Sequence, residues 1–131
     1  MLSRSDLRKI ARARLRDAEA LLTAKRLDGC IYLCGYAVEI ALKARICRTL
    51  KWAVFPATNR EFEGYASFRT HNLDVLLHLS GQEARIKTHL LAEWSIVVAW
   101  EPEARYRPIG TASAQDATDM VGATKAILRR L

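Results

Sequence analysis

The run Gly29-Cys30-Ile31-Tyr32-Leu33-Cys34-Gly35-Tyr36-Ala37-Val38-Glu39-Ile40-Ala41-Leu42-Lys43-Ala44-Arg45-Ile46-Cys47-Arg48-Thr49-Leu50 decides the fold. It contains no proline and is apolar on most sides, the pattern of a helix with neighbours on several faces. Gly35 in its interior costs about 1 kcal/mol against alanine, and its expected use is the close approach of another helix. Tyr32, Tyr36, Glu39 and Lys43 interrupt the apolar surface. At about 100° per residue they share one face. A buried carboxylate or ammonium is costly unless paired, and Glu39 and Lys43 are correctly ordered for an i,i+4 pair. The face either reaches solvent or lines a groove or dimer seam with a polar floor; the flanking tyrosines favour the second.

Outward from this helix, the segment before it reads as a helix over about Ser5 to Thr23. Leu7, Ala11, Leu15, Ala18 and Leu22 give its apolar stripe, and Ser3 or Ser5 can cap it. Lys25 to Gly29 is the expected turn, with Gly29 relieving backbone strain. Residues 51–70 are irregular but aromatic, through Trp52, Phe55, Phe62, Tyr65 and Phe68, and are expected to pack. A short helix follows over Leu73 to Ser80, ended by Gly81. A fourth helix is expected over Glu83 to Trp100, with Ile86, Leu90, Trp94 and Val97 inward. Pro102, Pro108 and Gly110 break the stretch Glu101 to Ala112. The last helix spans Ala114 to Arg130, opened by a Ser113/Asp116 capping box, with Ala117, Met120, Val121, Ile127 and Leu128 toward the core. The fold class is therefore all-α, an up-and-down four- or five-helix bundle forming one domain over residues 1–131.

Composition narrows the function classes. No apolar run reaches the roughly 18 residues that cross a bilayer, and the basic, amphipathic N-terminus lacks a secretory core. The expectation is a cytoplasmic protein without a membrane role. The 3 cysteines, Cys30, Cys34 and Cys47, are an odd set and read as small apolar core residues in a reducing compartment. There is no glycine-rich phosphate loop, nucleophile elbow or metal-binding histidine pattern, so no cofactor or metal is expected. The net charge of +7 implies an anionic partner: RNA, a nucleotide or an acidic protein. The basic residues are spread along the chain, with Arg4, Arg8, Lys9, Arg12, Arg14 and Arg16 in the first helix and Arg45, Arg48 and Lys51 at the end of the second.

Gly35-Tyr36-Ala37-Val38-Glu39-Ile40-Ala41-Leu42-Lys43-Ala44-Arg45-Ile46 resembles the signature helix of HEPN domains (higher eukaryotes and prokaryotes nucleotide-binding). The preceding Ala18 to Leu33 pattern is similar too. Thr70-His71-Asn72-Leu73, with Leu76 and Leu77, resembles the family's His-x-Leu-x-x-Leu segment. Trp100 to Tyr106 is similar to the tryptophan and Arg-Tyr pair of one prokaryotic subgroup. The resemblance implies a helical bundle that dimerises, often paired with a minimal nucleotidyltransferase in toxin–antitoxin-like systems. Many members are metal-independent ribonucleases using Arg, four to six residues, then His. Here Arg85 and His89 are separated by only three residues, and Arg105-Tyr106-Arg107 stands where that motif belongs. A metal-free ribonuclease needs a proton acceptor and donor that histidine supplies near neutral pH. The expectation is thus a non-catalytic nucleotide-, RNA- or partner-binding module. The alternatives are a ribonuclease toxin with a rearranged site and a structural subunit for an acidic protein.

The candidate binding residues are Tyr36, Glu39, Lys43, His71, Arg105 and Tyr106; no catalytic residue is assigned. His71 either meets phosphate at a helix start or is structural, capping that helix or packing on Tyr65. Arg105 either pairs with a carboxylate such as Glu39 or binds phosphate. Trp94 and Trp100 read as core or interface rather than stacking platforms.

Overall fold

The computed structural model describes residues 2–131. Among them are six α-helices: α1 (Arg4–Thr23), α2 (Leu27–Leu50), α3 (Leu73–Leu79), α4 (Glu83–His89), α5 (Leu91–Val97) and α6 (Ala114–Arg130). The bundle is all-α as expected, save for a two-residue antiparallel pairing of β1 (Leu2–Ser3) with β2 (Val54–Phe55).

Helix α1 begins where Ser3 accepts from the Asp6 amide, and that acid also suits the positive end of the helix dipole. The turn into α2 is only Ala24 to Arg26, and Lys25, not Gly29, carries the left-handed backbone (φ 58°). A link this short folds α1 back along α2 as a helical hairpin. Gly29 lies inside α2 instead, and a Cβ there would stand 3.3 Å from Leu21 of α1. Helix α2 touches α1, α3, α6 and β2, which explains why it is apolar nearly all round. Its buried set includes Cys30, Cys34, Val38, Leu42, Ile46 and Cys47, joined by Leu7, Leu73, Leu76, Leu77, Ile86, Val97 and Ile127 from the other helices.

The expected fourth helix is broken. Leu90 leaves helical geometry (φ −133°, ψ 39°), dividing the segment into α4 and α5. No glycine or proline stands there, so local propensity does not set the break; packing does. Helix α5 lies against α6, whose capping box at Ser113 and Asp116 forms as expected. Leu128 is half-buried, while Ala123 and Thr124 are buried on that face. Residues 52–68 do pack: Trp52 meets Phe55, Tyr65 and Phe68, and Phe55 meets Phe62, with ring centroids 5.0–6.2 Å apart. No helix is long and apolar enough to cross a membrane.

The three thiols are buried in the core. Burial pushes Cys34 up to about 12 from 9.0, and raises Cys30 and Cys47 as well. These groups hold their protons in the folded chain at pH values where the unfolded chain releases them. Their stabilising effect is complete below about pH 9 and is lost as pH rises toward about 12. Urea midpoints are therefore expected to fall steadily above about pH 9, and a Cys34→Ala variant should show a shallower fall. Equal slopes for the two proteins would contradict the assignment.

Candidate functional site

The polar face of α2 carries two sets of contacts. Glu39 is 3% exposed. Its Oε1 receives His71 Nδ1 at 2.5 Å and its Oε2 receives Lys43 Nζ at 3.5 Å. One helical turn away, Tyr36 and Tyr32 share a hydroxyl contact of 3.4 Å and meet edge to face, with centroids 5.0 Å apart. The contact with Tyr32, followed by burial, pushes the Tyr36 phenol up to about 12. The guanidinium of Arg105 lies against the Tyr32 and Tyr106 hydroxyls, which hold it firmly charged. It also sits 4.9 Å over the Tyr106 ring. The six candidate binding residues thus fall into two neighbouring clusters, Glu39 with Lys43 and His71, and Tyr36 with Tyr32, Arg105 and Tyr106.

Two partnerships differ from expectation. His71 does not cap α3. Asn72 is the cap, accepting from the Asp74 and Val75 amides at 3.0 and 3.1 Å. That cap aims the preceding residue back across α2, where Glu39 takes it. Arg105 does not pair with Glu39 but with the tyrosines near the start of α2. The reason is reach: Tyr32 and Glu39 stand seven residues apart, about 10 Å along the helix. Its neighbour Arg107 pairs with Glu101 at 3.0 Å. The loop carrying Arg105 is pinned by Asp28, whose carboxylate accepts from the Gly110 and Ala112 amides at 2.6 and 3.1 Å.

The floor beneath the tyrosines is Trp100. Its indole meets Tyr36 at 4.9 Å and occupies the space over Gly35 where a Cβ would stand. Gly35 therefore admits a tryptophan ring rather than a helix. Trp94 is also buried, and its Nε1 donates to Asp74. His78 contacts Glu83 at 3.2 Å on an exposed face, and Arg85 and His89 are exposed. No group of three metal-ligating side chains occurs among the described residues.

A second cluster escaped the sequence reading. Arg4, Arg8 and Arg12 of α1 and Arg45 and Arg48 of α2 line one cleft. The four-residue spacing of the first three was visible in the chain. That the end of α2 lies beside the start of α1 was not.

The fold is a helical bundle whose long central helix carries a seam of tyrosines, a buried carboxylate and nitrogen donors. Residues 5–58 match the model of the family described as the HEPN domain, which supports the HEPN assignment. The match covers nearly all of α1, all of α2 and β2; His71 and Arg105 lie beyond it. No curated protein and no solved structure matches the chain.

Proposed function

We propose that the chain is a non-catalytic module that binds RNA or nucleotide phosphate along the polar face of α2. It acts as a homodimer beside a nucleotidyltransferase-type partner in a toxin–antitoxin-like pair. The observation that carries the binding reading is the arrangement of charge. The single acid, Glu39, is sunk at the floor, while Lys43, the half-exposed His71 and the fully solvated Arg105 stand above and beside it. Nitrogen donors held by a buried acid and by phenols are ordered in advance, so less freedom is lost when phosphate binds. His71 and Arg105 attach about 10 Å apart along α2, which suits separate phosphates better than one reacting centre. Dimerisation is favoured by the apolar side chains left outside: Leu91, Ile96 and Val98 around α5, with Tyr106 and Ile109 (99% exposed) on the adjoining loop.

One observation favours the ribonuclease reading as the second. The short Glu39–His71 pair fixes the imidazole as a general base would need, with Nε2 left on a side chain that is 59% exposed. The test is incubation of the protein with mixed RNA in EDTA on a denaturing gel, together with RNA binding by anisotropy. Intact RNA, bound by the wild type and bound about tenfold more weakly by Arg105→Ala, is the expected result. Cleavage that disappears in His71→Gln would establish the ribonuclease instead. Neither cleavage nor binding would point to an acidic protein partner.

A further inference from the structure

We infer that the arginine cleft between α1 and α2 is a second, separate binding track, and that its ligand is the phosphate backbone of single-stranded RNA. This goes beyond the polar face of α2: Ala41, Arg45 and Arg48 lie roughly a third to half a turn around the helix from Glu39.

Four features argue for a ligand. Arg4, Arg8 and Arg12 repeat every four residues along α1, placing one guanidinium about every 6 Å on a single face. That is a ladder suited to successive phosphates of an extended strand. Arg45 and Arg48 face them across a floor of Ala11, Ala41 and Ala44, small side chains that leave the cleft open. None of these five arginines pairs with a carboxylate side chain among the described residues, although 14 acids are present in the chain. The crowding is felt within the protein. Burial, then the charges of Arg48 and Arg85, lower the Arg45 guanidinium from its ordinary value. Its Nη1 donates to the Leu131 carbonyl at 3.1 Å, but its buried Nε has no acceptor. Like charges gathered without an acidic side chain are costly until an anion enters.

The choice of RNA over an acidic polypeptide rests on what the cleft runs into. Arg4 and Arg48 also line the adjoining depression, which continues over Lys51 to Trp52. Trp52 is half-buried, edge-on to Tyr65, and is the one tryptophan of three not buried. A cationic track that ends at a partly open aromatic ring is how proteins hold single strands, with phosphates on the cations and a base on the ring.

The probe is a fluorescein-labelled oligouridylate of about twenty nucleotides, titrated by anisotropy over a range of salt. Arg8→Gln/Arg12→Gln replaces two exposed residues and should leave circular dichroism unchanged. It is expected to weaken binding at least tenfold and to reduce the slope of log affinity against log salt by about 1.4, two phosphate contacts at roughly 0.7 each. Trp52→Leu should weaken oligouridylate binding without changing that slope. An unchanged slope in the double arginine variant overturns the proposal. So does competition by polyglutamate as effective as by oligouridylate, which would make the cleft a site for acidic protein. Arg105→Ala keeps the two sites apart: loss there with no effect at Arg8 and Arg12 leaves the α2 face standing and removes the track, and the converse does the opposite.

Discussion

Gly35→Ala is expected to destabilise the fold by about 3 kcal/mol or more, at the upper end of what overpacking a core costs. The added methyl group would fall within the Trp100 indole, and the ring has nowhere to retreat. It is 7% exposed, edge-on to Tyr36 and tilted against Tyr32. Its Nε1 already lacks an acceptor, so further displacement yields no compensating hydrogen bond. The same substitution at Gly122, exposed in α6 with nothing within 4 Å, should stabilise the protein by about 0.5–1 kcal/mol through helix propensity. The opposite signs separate sterics from propensity. A second-site change decides the mechanism. Trp100→Leu should be damaging by itself yet improve Gly35→Ala when the two are combined. Urea denaturation of the four proteins measures this, and simple additivity would refute the seat of Trp100 over Gly35.

Which parts of this arrangement could be read from the chain follows from the range of the interactions. Ser113 and Asp116 lie three residues apart, so the capping box and the start of α6 were legible. Gly81 ends α3 with φ 75°, a strictly local requirement that glycine announces. The 0, 4, 7, 11 spacing on α2 put Glu39 and Lys43 on one face for the same reason. Most of the failures are long-range. His71 meets Glu39 across 32 residues, and Asn72, the better cap, was beside it in the sequence. The break at Leu90 has no local breaker. Gly29 and Gly35 each looked like backbone devices of a kind the sequence suggests, a turn and a helix crossing. Their roles were set by Leu21 and Trp100, side chains from other elements. The arginine cleft fails in the same way: each helix shows its own basic residues, but only their alignment gathers five into one place.

Removing both hydrogen-bonding partners of Glu39 is expected to be far worse than removing either, and worse than removing Glu39 as well. The carboxylate is 4% exposed, whereas Lys43 and His71 are 19% and 59% exposed. The desolvation cost therefore falls on the acid, and the partners offset it from the rim. Lys43→Met keeps the aliphatic stem, removes the ammonium that stands 5.5 Å from the Phe55 ring centroid, and leaves Glu39 with His71. His71→Ala leaves it with Lys43. Each single change should cost about 1.5 kcal/mol, the low end for one hydrogen bond to a charged group. The double variant strands a buried carboxylate and should cost about 3–5 kcal/mol. Adding Glu39→Gln to the double variant removes the stranded charge while keeping the shape, and should recover most of that loss. If the cluster were an ordinary surface ion pair, the double variant would equal the sum of the singles within about 0.5 kcal/mol, and the third change would do nothing. The same series bears on function. The triple variant, refolded but stripped of Lys43 and His71, should lose binding at the α2 face while retaining the salt-dependent binding of the arginine track. A binding face made from Lys43 and His71 needs Glu39 to hold them; the arginines of α1 have no such acid, and nothing in the α2 cluster should reach them.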